Sequence, residues 1–210
     1  MTTYILIRHG ETSWNKDERL MGITDVPLTK KGIEQARRLG KYLSKINIDR
    51  IYTSPLVRTL KIAKAIKRYH KKAPLIKSDL LLERSFGNLE GWKYQDVNNS
   101  FPTLVYSQTW KYKYFQPPGG ERIVEVQDRV RLFLKAIESS RNNTIAIVSH
   151  GVFIKIMFAA LLSIPLPSLS SYRIDNTSVT VLTKNNEGKV FVERINMLDH
   201  LDTITSHNPW

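Results

Sequence analysis

Two segments of the chain carry the same unusual order of residues. Arg8-His9-Gly10 ends the apolar run Tyr4–Ile7, and Ser149-His150-Gly151 ends the run Ile145–Val148. A third, Ser54-Pro55, follows Ile51–Thr53 and leads to Arg58. Two histidines and two arginines behind hydrophobic segments suit anion chemistry. Guanidinium forks match phosphate oxygens in pairs, which a lysine point charge does not, and a neutral imidazole can serve as nucleophile or base. One histidine at a strand end is most simply a satisfied polar residue, and one arginine an ion-pair partner; the repetition turns the reading toward a site. A metal site fits less well. No carboxylate stands at these ends with ligand spacing, and two adjacent guanidinium groups repel a cation.

The elements that must hold these residues follow from periodicity. Thr3–Ile7 has the length and β-branched content of a short buried strand, as do Asp49–Thr53, Pro74–Lys77 and, most clearly, residues 144–151. From Thr29, an N-cap, residues 29–46 place Ile33, Ala36, Leu39, Tyr42, Leu43 and Ile46 at helical spacing, with a basic outer face. Pro55 marks the start of a second helix through His70. Further helices are expected from Ile123 to Ser139 and over 152–162. Thr177–Thr183 and Lys189–Ile195 read as a β-hairpin turning at Asn185-Asn186-Glu187-Gly188. The expected fold is α/β: a largely parallel central sheet flanked by helices on both faces, with a C-terminal β-hairpin and an inserted lid region. Residues 1–210 form one domain, with 92–120 as the lid-like insertion. Ligands of such sheets bind beyond the carboxyl ends of the strands. Arg8, His9, Arg58 and His150 are expected there.

Composition limits the chemistry. There are no cysteines, which excludes disulfides, thiolate catalysis and Cys-ligated metals. The N-terminus lacks the basic segment and long apolar run of a leader. The longest apolar stretch, 152–164, is too short to span a bilayer and contains Lys155. A soluble, cytoplasmic protein is expected. The net charge of +13 and pI near 9.9 attract anions, whether nucleic acid, membrane or phosphorylated metabolites.

Arg8-His9-Gly10-Glu11-Thr12 with Trp14, Asn15, Arg19, Gly22, Asp25 and PLTKKG (27–32) resembles the signature of the histidine phosphatase superfamily, the phosphoglycerate mutase-like proteins. The resemblance continues in SPLVRT (54–59), LLERSFGNLEG (81–91), PPGGE (117–121), SHG (149–151), Asn196 and His200-Leu201, in the family's order over nearly the whole chain. It implies that His9 attacks phosphorus in line and becomes a phosphohistidine. Arg8, Arg58 and His150 would surround the non-bridging oxygens, with Asn15 adding a hydrogen bond. The Gly10 backbone is a candidate partner to fix the His9 tautomer. Glu83 matches the acid/base position, although locally it reads as an exposed loop carboxylate; a phosphate dianion beside it would favour its protonated form. Glu11 is expected to bind the Arg19 region or close the loop. Met21 and Arg122 depart from the family pattern, which puts substrate preference rather than chemistry in question. Arg122 is expected near the pocket mouth.

The phosphohistidine can pass its phosphate to water or to a second hydroxyl. The short segment between Gly91 and Glu121 favours water, and so a histidine acid phosphatase-type phosphomonoester hydrolase acting on small phosphorylated metabolites. No cofactor or metal is expected. The alternative is a cofactor-dependent phosphoglycerate mutase, which would need a 2,3-bisphosphoglycerate primer. A second alternative is a basic nucleic-acid-binding protein on this fold, since TWKYKYFQPPGG (109–120) interleaves lysine with aromatic residues. It explains the charge but leaves the ordered Arg, His and Glu set unexplained, so nucleic acid is disfavoured as a partner. No membrane partner is expected, and a homodimer stays open.

Overall fold

The computed structural model describes residues 1–100, 116–138, 143–166, 168 and 172–201. In chain order its elements are β1 (Thr2–Arg8), α1 (Ser13–Lys16), α2 (Lys30–Leu43), β2 (Arg50–Thr53), α3 (Val57–Lys67), β3 (Leu75–Lys77), α4 (Tyr94–Ser100), α5 (Ile123–Ile137), β4 (Thr144–Ser149), α6 (Gly151–Leu162), β5 (Val179–Lys184) and β6 (Val190–Met197). The six strands form one sheet in the order β3-β2-β4-β1-β5-β6. β1, β2, β3 and β4 are mutually parallel, β5 runs antiparallel beside β1, and β6 runs antiparallel to β5 at the sheet edge.

Alternation along β1 explains its place in the sheet. Tyr4 and Leu6 enter one core with α5 and α6, while Ile5 and Ile7 enter a second with α2 and α3. A strand buried on both faces must be apolar throughout. α6 is correspondingly apolar, every residue from Gly151 to Ala159 being buried. α2 starts where expected, with the Thr29 hydroxyl accepting the Gly32 N–H at 3.0 Å. Ala36, Leu39 and Leu43 face the core as expected and Tyr42 packs against it, but the two isoleucines do not. Ile33 is 54% exposed, Ile46 lies beyond the helix, and the buried set is Gly32, Gln35, Ala36, Leu39, Gly40 and Leu43.

The hairpin turns as expected, with Asn185 N–H bonded to Lys189 O at 2.9 Å and Gly188 N–H to Asn185 O at 3.1 Å. Two short helices were not expected, α1 and α4; Tyr94–Ser100 lies in the stretch expected to be the lid-like insertion. Most of the inserted region, including the Lys-aromatic run to Phe115, lies outside the described residues, as does Ser139, the expected end of α5. Among the described residues no helix is long and apolar enough to cross a membrane.

Candidate active site

Register brings the strand ends together. Arg8 pairs with Ser149 across β1 and β4, and Thr53 with Val148 across β2 and β4. The chain then continues in step, His9 N–H donating to Ser149 O at 3.0 Å and Ser54 N–H to Val148 O at 3.1 Å. Three neighbouring strands thus deliver Arg8-His9, Ser149-His150 and Ser54 to one edge. The rings of His9 and His150 lie 5.3 Å apart between centroids. Arg58, in the first turn of α3, is fully buried beside them.

His9 is 3% exposed, and its Nδ1 lies 2.8 Å from Gly10 O. A carbonyl oxygen only accepts, so Nδ1 carries the proton. Burial, reinforced by the Arg8 and Arg58 charges, holds the imidazole well below the usual histidine range. The ring is therefore neutral, and Nε2 keeps a free lone pair. Burial and the same two arginines hold His150 down as well. Its Nε2 lies 3.0 Å from Ser54 Oγ.

Each arginine spends part of its fork on backbone. Arg8 donates to Ile174 O at 2.6 Å. Arg58 donates to Thr24 O and Gly22 O, both at 2.7 Å, and burial lowers its guanidinium to about 10. What remains is the most telling feature of the site. Arg8 Nε, Arg58 Nε and His150 Nδ1 are all buried without a hydrogen-bond partner. Buried polar atoms are ordinarily satisfied, and three unsatisfied nitrogens around one neutral histidine form a cradle for an anion.

Glu83 reaches the same edge from the segment after β3. Its Oε1 accepts from Arg84 N at 2.9 Å and Phe153 N at 3.1 Å, and its Oε2 from Val152 N at 3.1 Å. Through these bonds the Glu83 side chain caps α6. The two His-Gly pairs differ here. A Cβ on Gly10 would come within 2.9 Å of Gly32 O, so that glycine lets β1 close against α2. A Cβ on Gly151 would meet only Arg8 Nε at 3.6 Å, Arg8 Cζ at 3.7 Å and Glu83 Oε2 at 4.0 Å. Gly10 thus packs against α2, while Gly151 leaves room for a Cβ beside Arg8 and Glu83.

The sequence pattern of the histidine phosphatase superfamily (branch 1) matches residues 4–197. The chain belongs to this superfamily. Among curated relatives, phosphoserine phosphatase 1 of Hydrogenobacter thermophilus is 32% identical over 206 residues, covering 96% of this chain and 95% of that protein. The uncharacterised phosphatase PhoE of Bacillus subtilis is 32% identical over 202 residues, covering 96% and 97%. The solved structure of Bacillus stearothermophilus YhfR superposes with a TM-score of 0.84 at 32% identity, covering 96% of this chain and all of that one.

In this histidine phosphatase chain the fold gathers His9, Arg8, Arg58, His150 and Glu83. Asn15 joins them less directly. Its Oδ1 accepts from Thr12 N–H at 3.1 Å, as cap of α1, and from Asn176 Nδ2 at 3.3 Å, which leaves its amide nitrogen for a ligand. Glu11 does not contact Arg19. It pairs with Lys31 at 2.8 Å and accepts from the Thr29 hydroxyl at 2.9 Å, while Arg19 donates to Gly91 O. Arg122, the N-cap of α5, is bound to Glu125 at 3.1 Å. Met21 is buried, its sulfur facing the Thr12 hydroxyl at 3.8 Å.

Sequence reasoning missed the roles of four residues. Ser54 partners His150. Asn176 and Thr177 hold the His9 carbonyl, through Nδ2 and N–H, each at 3.1 Å. Glu90 accepts from Ile23, Thr24 and Phe86 N–H groups, tying the loop whose carbonyls grip Arg58 to the segment just after Glu83. A carboxylate in LLERSFGNLEG was visible; the distant backbone it would bind was not.

Proposed function

We propose that the chain is a metal-independent phosphomonoesterase of small phosphorylated metabolites, acting through a phosphohistidine on His9. The observation that carries this is the neutral His9, with Nε2 unprotonated, set among three buried and unpartnered nitrogens. The phosphatase names of its relatives support the same class. A phosphate monoester places its non-bridging oxygens against Arg8 Nε, Arg58 Nε and His150 Nδ1, with the Asn15 amide beside them. For His150 Nδ1 to donate, Ser54 must donate to Nε2. His9 Nε2 attacks phosphorus, the bond to the leaving oxygen breaks, and that oxygen takes a proton from the Glu83 carboxyl. Water then attacks the phosphohistidine and gives a proton back to Glu83, the N–P bond breaks, and phosphate leaves. Arg8 and Arg58 supply the positive charge that stabilises the transferring phosphoryl group, so no metal or cofactor takes part. A cytoplasmic location goes with this reading, because phosphorylated metabolites do not cross a bilayer unaided.

The test is release of inorganic phosphate from p-nitrophenyl phosphate, 3-phosphoglycerate and O-phosphoserine, with EDTA present. Wild type should release phosphate, and a folded His9→Ala should not. Release that persists in His9→Ala, or transfer to a second hydroxyl in place of water when 2,3-bisphosphoglycerate is added, would overturn the reading.

A further inference from the structure

The catalytic carboxyl sits on a segment without regular secondary structure of its own, and one guanidinium holds that segment. Arg129, in α5, donates from Nε to Glu121 Oε1 and from Nη2 to Glu121 Oε2, both at 2.9 Å. Its Nη1 donates to Leu80 O at 3.0 Å and Leu82 O at 2.9 Å, and Nη2 also donates to Glu83 O at 3.1 Å. A guanidinium has five N–H donors in a fixed fork, so these bonds commit all of them. Glu121 extends the grip past Glu83. Its Oε2 accepts from Ser85 N at 2.9 Å, and its backbone O accepts from Arg84 Nε at 2.8 Å. The Arg129 guanidinium also lies 5.8 Å from the Phe153 ring, and Phe153 N–H is one of the donors to the Glu83 carboxylate. The Arg129–Glu121 pair is largely buried, with side chains 18% and 26% exposed.

We propose that Arg129, clamped to Glu121, is the positioning residue that fixes the Glu83 carboxyl for proton transfer to the leaving oxygen. Arg129 can act this way only if Glu83 is the acid/base group proposed above. Lysine cannot replace it. An ammonium offers three donors at a single point, and it cannot span a carboxylate and three carbonyls.

The experiment compares kcat/KM, which reports the steps through formation of the phosphohistidine, on p-nitrophenyl phosphate and on O-phosphoserine. The nitrophenolate leaves without a proton, and the serine alkoxide needs one. Wild type, Arg129→Lys, Glu121→Gln and Glu83→Gln are measured together, with thermal melts and the Ki of inorganic phosphate. Misplacing a catalytic group by about 1 Å can cost about 100-fold, so Arg129→Lys should lose about that factor on O-phosphoserine and far less on p-nitrophenyl phosphate. The phosphate Ki should not move. Glu121→Gln should show the same asymmetry, and it decides the matter alone if Arg129→Lys does not fold. Equal losses on both substrates, or no loss on either, overturn the proposal while leaving the role of Glu83 intact, provided Glu83→Gln itself shows the asymmetry. If Glu83→Gln treats both substrates alike, the acid role fails and the positioning role falls with it.

Discussion

Arg58→Lys separates a phosphate ligand from a structural strut. The guanidinium is fully buried, grips two carbonyls at 2.7 Å, stands 4.0 Å from the Asp25 carboxylate, and presents an unpartnered Nε. Lysine keeps the charge but cannot hold both carbonyls and also donate from the Nε position. Losing one donor aimed at a transition-state oxygen costs about 10²–10³ in kcat. One orphaned carbonyl costs about 1–3 kcal/mol of stability, a fall of roughly 2–12 °C in a domain of this size. The orphaned nitrogens add a second readout. Phosphate that binds only the folded state, at about 100 times its Kd, stabilises by about 2.7 kcal/mol, which raises Tm by about 5–11 °C. Thermal melts with and without inorganic phosphate, run beside phosphate-release assays, should show a large shift for wild type. At the same phosphate concentration Arg58→Lys should show a much smaller shift, with the expected drop in turnover. A variant that keeps the wild-type phosphate shift and near-wild-type turnover would refute the cradle. Arg58 would then serve only to tie the Gly22–Thr24 turn to α3.

Two further outcomes follow from the same geometry. Burial lowers His200 to about 4, with Arg38 lowering and Asp199 raising it, and its Nε2 lies 3.1 Å from Thr177 Oγ1. A histidine depressed below its unfolded value of about 6.5 stabilises the fold above that pH and loses the contribution as pH falls toward the folded value. For His200 this is at most about 3 kcal/mol, and His9 and His150 act with the same sign. Urea unfolding at about pH 7.5 and about pH 5 should show stability falling, and His200→Gln should flatten the slope. Ser54→Ala should fold, lose about tenfold in kcat/KM, and bind inorganic phosphate more weakly; an unchanged phosphate Ki would sever Ser54 from the site.

The strand-end residues were legible because burial on both faces forces β1 and β4 into unbroken apolar runs, so a polar residue must mark the edge. The partners of those residues were not. Asn176 and Thr177 lie just before β5, which runs antiparallel to β1 and therefore begins at the edge where the parallel strands finish. Sequence order says nothing of that until the hairpin is placed. On α2, Ile33 was misplaced for a related reason. A Cβ on Gly40 would come within 2.5 Å of Ala65 O, so α2 meets α3 along small residues, and apolar spacing gives Ile33 a burial that helix contact denies it. α1, with four residues, and α4, with only Val97 buried, are too short or too polar to register as periodic.

The repeated strand-His-Gly pattern suggests two copies of one device, yet the local partners set the rings to different tasks. Gly10 O can only accept, so it fixes the His9 proton at Nδ1 and leaves Nε2 bare for attack. Ser54 Oγ can donate as well as accept, so His150 Nε2 can be the acceptor, with Nδ1 protonated as a donor toward the anion. Both rings are kept neutral by burial and by the arginines that would bind the phosphate. In the proposed reaction the same charges would serve attack twice: they hold His9 unprotonated before substrate arrives, and they would draw the phosphoryl group to it. A carbonyl beside one ring and a hydroxyl beside the other would be enough, in that reaction, to make one histidine the nucleophile and its neighbour a donor.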